Sequence, residues 1–167
     1  MSTNFIKKSF SEKHKQLIVS FLNKLKLVFF KKKIGKNSYI DKTVRVIGWK
    51  NIQIGNSSII GEKSWLNINS REKGFNHIEI GNNCYLGKRT TVSSANKIIF
   101  KDYCLIGDDC RFIGANHKYS NPMEPYFFSG VSDKEIITIG VNVWLGTNIC
   151  VVGDITIGHG SIIGAGS

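Results

Sequence analysis

Residues 137–167 read ITIGVNVWLGTNICVVGDITIGHGSIIGAGS, and this stretch decides the fold because it counts in sixes. An aliphatic side chain recurs at Ile139, Leu145, Val151, Ile157 and Ile163, and glycine follows at Gly140, Gly146, Gly158 and Gly164. Four positions after each aliphatic residue come Val143, Ile149, Ile155 and Ser161, mostly small or β-branched. The same step extends backwards through Ile54-Gly55, Ile60-Gly61 and Leu66, then Ile80-Gly81, Leu86-Gly87 and Val92, then Phe100, Ile106-Gly107 and Phe112. Self-similarity at a fixed short period is the signature of a solenoid, and a period of six belongs to the β-helices.

Strand alternation explains the pattern. In a short strand side chains point in and out by turns, so the aliphatic residue and the one two before it face one column. The reading expects the glycine to serve a corner where the backbone bends sharply. Three strands and three corners close a triangular coil, and coils stacked about 4.8 Å apart bury a continuous apolar core. In this register Cys84, Cys104 and Cys110 take the inward slot for small residues and are expected as buried, inert thiols. Cys150 faces outward without a histidine beside it.

The chain has 167 residues, 41% hydrophobic and 21% charged, with two prolines and seventeen glycines, which suits one globular domain. Its net charge of +11 would suggest nucleic acid or an anionic membrane. The charge is concentrated, however. Residues 1–36 carry ten lysines against Glu12 alone, a net +9, which leaves +2 for residues 37–167. A nearly neutral body has no large phosphate-neutralising surface, and nucleic acid is disfavoured. The organisation expected is a basic arm over residues 1–38 and a β-helical domain over 39–167.

The arm reads as an amphipathic helix, with Ile18, Phe21, Leu22, Leu25, Val28 and Phe29 on one face. Ser20, Asn23, Lys24 and Lys26 interrupt the apolar run, so neither a membrane span nor a signal peptide is expected. Two roles stay open. The helix covers the open end of the domain or an oligomer seam, or residues 7–36 make peripheral contact with anionic lipid. The compartment expected is cytoplasmic, with free thiols and, in the second case, contact at the inner face of the membrane.

The repeats over 39–167, with GANH at 114–117 and the Trp144-Leu145-Gly146 run, resemble the hexapeptide-repeat acyltransferases. The similarity is to galactoside, maltose and xenobiotic acetyltransferases and to O-acetyltransferases of bacterial surface polysaccharides. The resemblance implies an all-β fold, a left-handed parallel β-helix, against the usual right-handed crossover. It also implies acetyl-CoA as co-substrate, no metal, a glycan acceptor, and a homotrimer with active sites between subunits.

The chemistry is expected around His117 and Trp144. Residues 118–138 interrupt the count as a 21-residue excursion, and a long loop leaving a rigid prism beside a histidine is how a cleft is built. With the excursion removed, the reading puts Asn116 inward and His117 and Trp144 in equivalent outward slots. Attack of a hydroxyl on a thioester needs a base of near-neutral pKa, and imidazole supplies one. The resemblance makes His117 that base, with direct transfer, and sets Trp144, Thr147 and Ala165 along the coenzyme. Asn116 and either Glu124 or Glu135 are candidates to orient His117. Tyr119, Tyr126, Phe127 and Phe128 offer a sugar an apolar face, or else hold the loop to its coil or to a neighbour. Galactoside acetyltransferases carry an asparagine about two coils before the histidine; Arg89 stands there instead and suits a carboxylated sugar through bidentate pairing.

His14, His77 and His159 read as surface residues. The zinc enzymes that share this fold need three histidines, two of them closely spaced, and the histidines nearest to His117 are His77, forty residues before it, and His159, forty-two after it. The chain stops at Ser167 within a repeat, so the reading expects either a shortened form or a neighbouring element over the open edge. A non-enzymatic scaffold and a small-molecule acceptor remain as alternatives.

Overall fold

The computed structural model describes residues 33–69, 77–132 and 135–167. The helical arm expected over residues 1–38 lies almost wholly outside the described residues. The described chain winds as a left-handed parallel β-helix of hexapeptide repeats. The first coil holds β1 (Tyr39–Ile40), β2 (Arg45–Ile47) and β3 (Ile52–Ile54), and the second β4 (Ile59–Ile60), β5 (Trp65–Ile68) and β6 (His77–Ile80). The third is β7 (Tyr85–Leu86), β8 (Thr91–Ser94) and β9 (Lys97–Phe100), and the fourth β10 (Leu105–Ile106), β11 (Arg111–Gly114) and β12 (Ile136–Ile139). Strands β13 (Trp144–Leu145), β14 (Cys150–Val152) and β15 (Ile155–Ile157) form the fifth coil, and β16 (Ile162–Ile163) begins a sixth.

Every third strand pairs in parallel, giving three faces. Face 1 is β1-β4-β7-β10-β13-β16, face 2 is β2-β5-β8-β11-β14 and face 3 is β3-β6-β9-β12-β15. Pairing begins ahead of residue 39: Ile34 bridges Ile54 on face 3. The inward ladders Ile60, Leu86, Ile106 and Leu145, then Leu66, Val92 and Phe112, then Ile80, Phe100 and Ile139 are all fully or nearly fully buried. Phe100 and Phe112 meet edge to face across the column, centroids 4.7 Å apart at 79°. Cys84, Cys104 and Cys110 occupy the small inward slots, and the thiols of Cys104 and Cys110 each donate to a carbonyl of the next coil, Gly140 and Gly146, at 3.2 Å.

The glycine after each aliphatic residue serves a different purpose from the one expected. The sharp bend falls two residues later, where Ser57, Lys63, Asn83, Arg89, Asp109, Asn142 and Asn148 all take positive φ near 55°. From Gly35 to Gly146 the glycines mark close approach instead, whereas Gly158 and Gly164 meet no backbone: a Cβ on Gly107 would lie 2.7 Å from the backbone carbon of Gly146 in the next coil. Stacked coils touch backbone to backbone there, and no side chain fits.

Registered residues also locate every departure from six. Steps from face 3 to face 1 and from face 1 to face 2 are six residues throughout, as in Ile54 to Ile60 to Leu66. Only the step from face 2 to face 3 lengthens. Val46 to Ile54 takes eight, Leu66 to Ile80 fourteen, Val92 to Phe100 eight and Phe112 to Ile139 twenty-seven. All insertions therefore leave from one edge of the prism, the edge opposite face 1.

Candidate functional site

The longest of those insertions carries His117. Strand β11 ends at Gly114, and the loop's two limbs are then clamped together. Ser132 N–H donates to Asn116 O at 2.7 Å, Lys118 N–H donates to Gly130 O at 3.1 Å, and His117 bridges Val131 in antiparallel fashion. This short ladder holds Asn116 and His117 at a fixed height above the prism edge while the rest of the loop projects. Within the loop, tight turns run Met123 N–H to Asn121 Oδ1 at 3.1 Å and Phe128 N–H to Pro125 O at 2.9 Å. On the return limb Ile136 N–H donates to Asp154 Oδ1 of the coil above at 3.1 Å.

Between clamp and turns lies a cavity of about 730 Å³, lined by Asn116, His117, Tyr119, Tyr126 and Phe127. Among the described residues its wall has three aromatic rings, one amide and one imidazole, and no carboxylate, lysine or arginine. Such a lining suits an uncharged ring that presents an apolar face and hydroxyls. His117 is exposed, and among the described residues no ion pair or side-chain hydrogen bond joins it to Glu124 or Glu135, the two carboxylates considered as its orienting partner. The backbone clamp does the positioning. Glu135 has one carboxylate oxygen buried without a hydrogen-bond partner among the described residues.

The other expected site residues stand elsewhere on the prism. Trp144 is the outward residue of β13 on face 1 and is 50% exposed. Thr147 and Ala165 stack in successive coils at the corner between faces 1 and 2; a Cβ on Gly146 would sit 2.7 Å from Ala165 N. His117 and Trp144 are therefore not in equivalent slots. Strand β12 intervenes, and the two residues lie on opposite sides of the prism, because the excursion replaces no strand and only lengthens a corner.

Arg89 shares the corner of Thr147, away from the His117 loop. It sits at the left-handed turn position with φ 54° and pairs with Asp109, its counterpart one coil on. Both guanidinium–carboxylate bonds measure 2.7 Å, with Asp108 at 4.0 Å. The fork proposed for a sugar carboxylate is filled by one from the chain itself. Sequence reasoning missed this pair, and it missed the clamp at Gly130–Ser132.

Among the described residues, no group of three or more His, Cys, Asp or Glu side chains converges to hold a metal ion. No described helix is long and apolar enough to cross a membrane.

No protein-family model matches the chain, and no curated protein matches it. The fold is similar to that of AntD, an N-acyltransferase from Bacillus cereus. A mutant of AntD in complex with dTDP and coenzyme A superposes with a TM-score of 0.67 at 21% identity, covering 80% of this chain and 70% of that one. The complex with dTDP and 3-hydroxybutyryl-CoA gives 0.67 at 19% identity, over 84% and 74%. Another mutant, with dTDP-4-amino-4,6-dideoxyglucose and coenzyme A, gives 0.65 at 20%, over 80% and 70%. At these identities the likeness establishes a shared fold.

Proposed function

We propose that the protein is an acetyl-CoA-dependent O-acetyltransferase acting on a sugar hydroxyl of a bacterial surface polysaccharide or its precursor. The observation that carries this reading is the cavity in which a clamped His117 meets Asn116 and an aromatic wall. In the proposed reaction the His117 imidazole takes the proton of the acceptor hydroxyl as its oxygen bonds to the thioester carbonyl carbon. A backbone N–H stabilises the resulting oxyanion. The carbon–sulfur bond then breaks, and the imidazolium returns the proton to the departing thiolate. The products are an acetyl ester and free coenzyme A, with no acyl-enzyme.

Asn116 and Tyr119 are assigned to the acceptor, and Trp144, Thr147 and Ala165 to the donor. Arg89 joins the acceptor side only by leaving Asp109. Because donor and base residues lie on opposite sides of one prism, the reading calls for a homotrimer with sites between subunits. The basic segment 7–36 is assigned to the inner face of the cytoplasmic membrane, where such glycans are built.

A second reading, N-acylation of a nucleotide-linked amino sugar, is favoured by the amino-sugar nucleotide and coenzyme A in the AntD complex. Release of free thiol from acetyl-CoA, measured against neutral glycans, acidic glycans and nucleotide-linked amino sugars, tests both. Turnover with a neutral glycan is expected. Turnover with the amino sugar alone overturns O-acetylation, and none with any acceptor overturns the enzymatic reading in favour of a scaffold.

A further inference from the structure

The near-neutral charge of residues 37–167 is the sum of two unlike ends. Residues 37–101, which span the first three coils, carry ten lysines and arginines against four acids, a net +6. Residues 102–167 carry three against seven, a net −4, and from residue 135 to 167 there is no lysine or arginine. Each coil is laid on the one before it, so order along the chain becomes height along the prism. The polarity of the sequence is therefore a polarity of the axis, basic at the first coil and acidic at the last.

The basic end carries its charge as a collar. Lys36 stands at the corner between faces 3 and 1, Lys42 at the corner between faces 1 and 2, Arg45 on face 2, and Lys50 in the turn at Trp49–Asn51 between faces 2 and 3. All four are exposed, and none makes an ion pair among the described residues. Lys33 joins them, its Nζ donating to the Lys50 carbonyl. Asp41 is the one acid of the first coil, and it accepts from the Thr43 N–H at 2.8 Å and the Tyr39 hydroxyl at 3.1 Å. Further up, Lys88 and Arg89 are paired with Glu62 and Asp109. Cations on every side of one end, with no track of them along a single face, fit a flat anionic surface better than a linear polyanion. Anionic lipid headgroups form such a surface, and the lysine-rich residues 7–36 lead into this same coil, where Ile34 bridges Ile54.

We propose that the collar of the first coil docks on an anionic lipid surface, so that the prism stands upright on its basic end. Screening decides which charges take part. The Debye length is about 8 Å at physiological ionic strength, and coils are about 4.8 Å apart. The first two coils therefore lie within one Debye length of the headgroups, and the acids of the fourth and fifth lie beyond it and do not repel. His117 leaves from the fourth coil, so its cavity is held about 15 Å further from the surface than the collar. The proposal deepens the membrane assignment of residues 7–36 and rests on it for the nature of the surface; it does not rest on acyl transfer.

Co-sedimentation of the full chain with vesicles tests the collar. Vesicles of phosphatidylcholine and phosphatidylglycerol in equal parts supply the anionic surface, and phosphatidylcholine alone is the control. Three variants each remove three positive charges: Lys42→Gln, Arg45→Gln and Lys50→Gln in the collar; Lys101→Gln, Arg111→Gln and Lys118→Gln at the level of the fourth coil; and Lys7→Gln, Lys8→Gln and Lys13→Gln in the arm. The collar and fourth-coil positions are exposed, so those two variants should melt as the parent does. A basic side chain close to anionic lipid is worth about fivefold in binding. The parent is expected to bind the anionic vesicles alone, and the collar variant to bind them at least about tenfold more weakly. The fourth-coil variant is expected to stay within about threefold of the parent. Equal losses from these two variants overturn upright docking, because net charge alone then acts. A loss confined to the arm variant overturns the collar and leaves the membrane assignment of residues 7–36 standing. A parent that binds neither vesicle overturns both. Tighter binding to a soluble acidic polysaccharide than to the anionic vesicles, lost in the collar variant, overturns lipid as the partner.

Discussion

Arg89 grips Asp109 of the next coil with two parallel 2.7 Å bonds, and both residues occupy the left-handed turn position of their own repeat. The pair therefore fastens one corner to the next. The Arg89 guanidinium, bonding to the Asp109 carboxylate, holds that carboxyl below its usual range. A group whose folded pKa is depressed contributes stability above its unfolded pKa, about 3.9 for Asp, and loses it as pH falls through the folded value. Asp109→Asn, which keeps a residue tolerant of positive φ, is expected to lower the melting temperature slightly near neutral pH. The gap to the parent should close below about pH 4. A gap that persists unchanged in acid would show that the pair is not its source.

The same pair bears on acceptor choice. With its fork occupied, Arg89 is expected to have no part in selecting charged glycans. Arg89→Asn should leave the ratio of turnover on acidic and neutral acceptors unchanged. A tenfold fall in that ratio would give Arg89 an acceptor role after all.

His117→Gln retains a hydrogen-bonding side chain of similar reach and removes the base. Loss of general-base catalysis corresponds to roughly 10²- to 10⁴-fold in turnover. Because His117 is exposed and held by backbone pairing, the melting temperature should not move. Turnover within threefold of the parent would remove His117 from the chemistry.

Thiol reactivity reads the inward register directly. Cys84, Cys104 and Cys110 are buried, while Cys150 is exposed. Hydrogen bonding with Cys84, and then burial, hold the Cys104 thiol above its ordinary range, and burial pushes the Cys110 thiol up. At pH 8 a disulfide reagent should label one thiol in the native protein and four after denaturation. Two or more fast-reacting native thiols would mean that the column opens.

Core packing beneath the loop gives the largest expected effect on stability. Phe112 is fully buried against Phe100, so Phe112→Ala should cost about 3–5 kcal/mol. Denaturant unfolding measures it, and a cost under about 1 kcal/mol would mean that the coils collapse around the gap.

The column was legible in the sequence because burial imposes it. Ile54, Ile60 and Leu66 follow one another in sixes, and each must be apolar. Relations between coils were hidden by coil length. Ile60 lies beside Leu86, twenty-six residues on, and Ile106 beside Leu145, thirty-nine on. Counting in sixes therefore cannot bring Arg89 over Asp109, which are twenty residues apart. Nor can it align Tyr85 with Leu105 and Trp144 into one stripe. The signal was present one residue before each face 1 aliphatic, but reading it requires knowing where each coil closes. His117 was legible for the opposite reason: it stands where the count breaks. The glycines misled because corner and close contact ask for the same residue, and only φ tells them apart.

The single edge from which every insertion leaves separates two kinds of change. Length can be added between face 2 and face 3 without altering which side chains meet in the column, as the eight-, fourteen- and twenty-seven-residue steps show. That edge is thus the natural graft point of the molecule. A foreign peptide spliced there should be displayed on an unchanged prism, whereas the two other corners keep a six-residue step in every described coil and offer no such precedent.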